Sequence, residues 1–163
     1  MPFGDDLTGI QPLDAAILRT VLYADIFDFA LSMRELHHFL LHPAPAALAE
    51  IEHALGASTV LATVLARSDD LVALAGREAL FTVRRQREEM AANLWQPAQR
   101  YARALGRLPF VRMVALTGAL AMRNPSGPQD DLDYLIVTRP GRVWLARLLT
   151  VIVVRWVKLR GTV

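Results

Sequence analysis

VRMVALTGALAMRN (residues 111–124) and QDDLDYLIVT (residues 129–138) are the two stretches on which the fold of this 163-residue chain turns. Residues 110–116 form an apolar, β-like run that Gly118 breaks, and residues 119–123 open a short helix. Residues 124–128, Asn-Pro-Ser-Gly-Pro, are a loop by composition, and residues 132–138 read as a second strand. Where the first strand gives way to the helix, free N–H groups make an anion site, and Gly118 permits close backbone approach. On the second strand, alternation puts Asp131 and Asp133 on one face and Leu132 on the other. Two carboxylates that close repel by ~4 kcal/mol at about 4 Å in an effective dielectric of about 20. Asp is disfavoured in strands, so a pair on one face needs a reason. A divalent cation supplies one, and oxygen ligands from two carboxylates plus substrate phosphates suit Mg²⁺.

This arrangement resembles the opening signature of the DNA polymerase β-type nucleotidyltransferase superfamily, and in particular its small prokaryotic members with a winged-helix-like segment ahead of the motif. The signature is a strand, Gly-Gly or Gly-Ser, a short stretch, then Asp–apolar–Asp on the next strand. Here Gly118-Ala119 is followed by eleven residues and then Asp131-Leu132-Asp133. The resemblance implies that Asp131 and Asp133 hold Mg²⁺, which bridges nucleotide phosphates and activates an acceptor hydroxyl for attack on the α-phosphorus. It implies that Gly118 and Ala119 offer backbone N–H groups to the β- and γ-phosphates. Arg123, like Arg142, is a candidate phosphate clamp. The implied activity is Mg²⁺-dependent transfer of NMP from an NTP, with ATP the expected donor, to a hydroxyl-bearing acceptor. Two departures stand out. Ala119 takes the place usually held by Ser, and no Asp or Glu follows Asp133 to serve as the family's third carboxylate. Asp130 can substitute only if the strand begins later than residue 132.

Composition sets the surroundings of this motif. Apolar residues make up 53% of the chain and charged residues 21%, enough for a sizeable core and incompatible with wholesale disorder. The chain has no cysteine, which excludes a disulfide framework, thiolate metal sites and a cysteine nucleophile. Its beginning, MPFGDDLTG, has neither a basic nor an apolar signal region, so no secretory leader is expected. Residues 148–154, the longest uncharged stretch of the apolar tail, fall far short of the ~20 residues of a spanning helix. A cytoplasmic protein without a transmembrane segment is the expectation.

The net charge of +2 is unevenly spread: −6 over residues 1–66, +3 over residues 67–107 and +5 over residues 108–163. Such asymmetry suggests separate modules. Residues 1–76 read as a winged-helix-like module. Leu13, Ile17, Leu18, Val21 and Leu22 mark a first helix to about residue 29. Ser32 and Glu35 form an S-x-x-E capping box, with Leu31 and Leu36 placed for a hydrophobic staple, and that helix should stop near His42-Pro43. A third helix spans residues 45–55, and runs at 63–66 and 71–75 suggest a hairpin. Sequence-specific DNA binding is not expected of this module. No basic residue lies between Arg34 and Arg67, and the third helix carries Glu50 and Glu52, which a duplex would repel.

Residues 77–107 read as a helical connector that Pro97 should kink or divide. Residues 108–163 then form a partial nucleotidyltransferase core of mixed sheet and helices, giving an α+β chain overall. The final helix, from about residue 142 to 160, gathers Arg147, Arg155 and Lys158 within about 80° and is apolar over most of the rest. Such a helix needs cover, and two strands make no independent sheet. The expectation is a core cut short, or one completed by a protein partner or a second copy of the chain. Two other readings remain open. One is a catalytically degenerate, antitoxin-like regulatory module, and the other is docking of the apolar tail on a membrane or a partner helix. Trp95, Trp144 and Trp156 are expected in the core, and His37, His38, His42 and His53 as surface or half-buried residues without a metal.

Overall fold

Pro12 opens α1 (Pro12–Asp25), its missing N–H falling where a helix has no internal acceptor. The computed structural model describes residues 10–127 and 130–159. Asp28, in the left-handed region at φ 50°, stops α1 four residues short of the expected end. The Phe29 N–H reaches back to the Ala24 carbonyl at 3.2 Å and the Asp28 N–H to Asp25 at 3.0 Å, the bond pair of a Schellman closure. Ala24 and Phe29 are both buried in the core that this closure brings together.

Leu31 and Ser32 then form the two-residue strand β1 (Leu31–Ser32), and Ser32 also caps α2 (Met33–His38). The anticipated capping box is present in full. Ser32 Oγ accepts from the Glu35 N–H at 3.3 Å, while Glu35 Oε2 accepts from the Ser32 N–H at 2.9 Å. Leu31 and Leu36 are buried in the same cluster. Next come α3 (Leu48–Ala57), in whose first turn Glu50 accepts from the Ala47 N–H at 2.6 Å, and α4 (Thr59–Val64). Residues 63 and 64, expected in a strand, therefore belong to a helix. Ser58 caps it by accepting from the Leu61 N–H at 3.2 Å, and the Thr63 hydroxyl donates back to the Thr59 carbonyl at 2.9 Å. The hairpin itself is β2 (Leu65–Ser68) and β3 (Leu71–Leu74), turning at Asp69-Asp70. The sheet is antiparallel with order β1-β3-β2, Val72 facing both Leu31 and Arg67. Ile17, Val21, Leu36, Ile51, Leu61 and Val72 fill its core.

α5 (Ala79–Gly106) runs unbroken through Pro97, so the expected division is absent. The chain separates into two compact units at Arg85 and Gln86, within this helix. In the first unit, Leu80 and Phe81 bury against Ala30, Leu71 and Ala73. The second unit holds the rest of α5, β4 (Val111–Thr117), α6 (Gly118–Ala121), β5 (Asp133–Thr138) and α7 (Val143–Leu159). Its sheet is one antiparallel pair, β4 with β5, irregular in register between Val111 and Met113. Its small core joins Ala91 and Ala98 of α5 to Leu120 of α6, with Leu94, Leu116 and Leu132 packed alongside.

Candidate functional site

The β4–β5 register sets the site. Thr117, last in β4, pairs with Asp133, first in β5, so the ladder closes on the residue before Gly118. Gly118 then turns the backbone into the left-handed region at φ 67°, a conformation that glycine adopts without a steric penalty. It also lies directly against the Asp133 side chain. A Cβ built on Gly118 would overlap Asp133 Oδ2 and stand 3.0 Å from Cγ and 3.1 Å from Cβ of that residue. Of the glycine and two acids that sequence spacing singled out, thirteen positions from Gly118 to Asp131 and two more to Asp133, Gly118 and Asp133 thus meet.

Asp131 lies in the segment just before β5, exposed like Asp133, while Leu132 and Tyr134 alternate with them as half-buried residues. The strand begins only at Asp133, so Asp131 lies ahead of it and strand alternation does not set the two acids on one face. Asp130 serves the loop instead: its carboxylate accepts from the Ser126 N–H at 2.8 Å and its own N–H donates to Gly127 at 3.2 Å. Among the described residues, no group of three or more His, Asp or Glu side chains is placed to hold a metal ion. Two carboxylates would leave most of an Mg²⁺ shell to phosphate oxygens and water, as that ion commonly requires.

The helix after Gly118 is short. Four residues sum few peptide dipoles, so what α6 offers an anion is its first-turn N–H groups, which have no acceptor within the helix. Ala119 is half-buried in that turn, and Leu120 anchors it in the core. The loop beyond is tied down at several points. Asn124 N–H donates to the Ala119 carbonyl at 2.8 Å, Arg87 Nη1 donates to Asn124 Oδ1 at 2.8 Å, and Pro125 is fully buried. Arg123, left-handed at φ 54°, places its guanidinium 6.0 Å from the Trp95 ring centroid. Arg142 stands 5.3 Å over the Phe110 ring. Behind the sheet, the Tyr134 hydroxyl donates to the Ala98 carbonyl at 2.8 Å, and burial, with a smaller contribution from Tyr101, holds its phenol above the ordinary tyrosine range.

None of the tryptophans is a core residue. Trp95 is 36% exposed, Trp156 54% and Trp144 77%. Sequence reasoning placed them inside because large aromatics usually bury. The histidines make local contacts, His37 Nε2 with the Ala46 carbonyl at 3.0 Å and His42 Nδ1 with Ala44 O at 2.6 Å. No family model, curated protein or solved structure matches this chain.

Proposed function

We propose that the second unit binds an NTP and transfers its nucleotidyl group to a hydroxyl-bearing acceptor. The observation that carries this reading is the seat of the Asp133 carboxylate against a glycine whose missing Cβ leaves room for it. In such a site the Gly118 and Ala119 N–H groups would take the terminal phosphates. Asp131 and Asp133 would hold Mg²⁺, whose chemistry is to neutralise phosphate charge and lower the pKa of a bound hydroxyl. The role of the chain's own residues is positioning. The closed ladder at Thr117 and Asp133 and the tied loop would hold such phosphates in position, the main requirement of phosphoryl-type transfer.

A winged-helix-like reading of the first unit rests on the helices ahead of its hairpin, four of them, α1 to α4, and on β1, which completes the sheet along β3. The unit's net negative charge favours a protein contact over a duplex. A degenerate, nucleotide-binding regulatory module is the second reading, favoured by Ala119 and by the engagement of Asp130 in its own loop. Calorimetry with ATP, with and without Mg²⁺, tests the site. Metal-dependent binding that Asp133→Asn abolishes is the expected result, and the absence of binding in wild type under both conditions refutes it. Binding without turnover across hydroxyl acceptors would select the regulatory reading.

A further inference from the structure

The described part of α7 carries a broad exposed apolar surface. Ala146 is buried, and Leu149, Thr150 and Val153 are half-buried. Their spacing of three and four residues puts them on one side. The remaining described side chains stand outside. Leu145, Leu148, Ile152 and Trp156 are all exposed and fall within an arc of about 80° at 100° per residue. Trp144, 77% exposed, and Arg155 border that arc, and Arg147 lies further round the same side. The helix is about 25 Å long, and its two tryptophans are separated along the axis by about 18 Å.

Charge identifies what this face meets. After Asp133 the sequence contains no acid at all, while Arg139, Arg142, Arg147 and Arg155 are exposed. An apolar strip with tryptophan near each end, bordered by cations and no acid and continued by the exposed Val151, matches the boundary of an anionic bilayer. There, Leu and Ile enter the acyl region, Trp sits at headgroup level and Arg meets lipid phosphate. No helix among the described residues is long and apolar enough to cross a membrane, so the contact is one of lying in the surface. We propose that α7 docks the protein on an anionic lipid surface through the face of Leu145, Leu148, Ile152 and Trp156. The proposal does not depend on the nucleotide site.

Flotation of the full chain with vesicles of mixed phosphatidylglycerol and phosphatidylcholine, against vesicles of phosphatidylcholine alone, tests it. Binding to the anionic vesicles only, with a blue shift of tryptophan emission, is the expected outcome. Arg147→Ser with Arg155→Ser should lower the partition coefficient roughly 30-fold, two surface cations' worth of attraction. Ile152→Asp should abolish binding while far-UV circular dichroism stays unchanged, because the side chain is exposed. Equal partition to both vesicle types, no partition to either, or binding that survives Ile152→Asp overturns the proposal. So does a stable dimer that shields Trp144 and Trp156 and ignores vesicles.

Discussion

Glu35→Gln separates two tasks that one carboxylate performs. Oε2 of Glu35 accepts from the Ser32 N–H and hydroxyl, both at 2.9 Å, and completes the capping box. Oε1 accepts from Arg84 Nη2 at 2.8 Å. The Arg84 side chain is only 3% exposed, and its guanidinium lies 4.1 Å over the Phe29 ring. Gln keeps the cap, since it serves at that position as Glu does. It removes one countercharge from a buried cation, a loss of at most about 3–5 kcal/mol. The Glu35 side chain is 24% exposed, which admits water and places the cost near the lower end, about 3 kcal/mol. Glu35→Ala adds the lost cap, about 1 kcal/mol more. Arg84→Met should cost less than either, because it leaves behind a carboxylate that water reaches and the cap still uses. Urea unfolding followed by far-UV circular dichroism, with hydrogen exchange at the Leu36 and Val72 amides, reads the first unit. All three tryptophans lie beyond Gln86, so their fluorescence reports the second. A Glu35→Gln variant within about 0.5 kcal/mol of wild type, or one less costly than Arg84→Met, refutes the argument.

Gly118→Ala places a side chain in the left-handed region, a strain of about 1–2 kcal/mol, and pushes the Asp133 carboxylate from its seat. Thermal unfolding should show the modest loss, and calorimetry a larger loss of ATP affinity. Unchanged affinity would detach the glycine from the site. Tyr134 gives a pH prediction. Its raised folded-state pKa means that its contribution is whole below the ordinary tyrosine value of about 10 and is lost as pH rises through the folded value. Tyr134→Phe should cost about 1 kcal/mol at neutral pH, through the lost bond to Ala98, and flatten the alkaline decline of stability. Urea midpoints measured at successive alkaline pH values check this, and parallel curves for variant and wild type would refute it.

What could be read in advance was what the chain decides within a few residues. Ser32 and Glu35 are three apart and meet in one helical turn, so their box needed no tertiary knowledge. The partner that raises Glu35 from cap to ion pair, Arg84, is 49 residues away and carries no local mark. The end of α1 went unread because Asp28 adopts a conformation more often given to glycine. The β-branched pair Thr63-Val64 favours a strand by propensity, yet Ser58 caps a helix across it and Leu61 anchors that helix in the core. β1 is two residues long, too short for any periodicity to reveal. Pro97 costs α5 one bond, the one its missing N–H would have made to the Asn93 carbonyl, and the helix continues through it.

At the candidate site the same division holds, and it explains which residues meet. Spacing put a glycine and two acids in order along the chain, but spacing alone does not say which acid approaches the glycine. Register does. Because Thr117 faces Asp133, the first residue beyond the ladder on one strand lies beside the last side chain of the other. A residue with a Cβ at 118 would occupy the space that the Asp133 carboxylate fills. Asp131, two residues earlier, is exposed ahead of the first paired residue, free of the ladder that fixes Asp133. The intervening loop is held by Leu120 in the core, by Arg87 on Asn124 and by Asp130 on Ser126. A paired, anchored carboxylate beside a more loosely placed one suits a site in which one ligand is preset and the other closes on a bound phosphate. Asp133→Asn should therefore weaken nucleotide binding more than Asp131→Asn, and the reverse order would place the anchor of the site elsewhere.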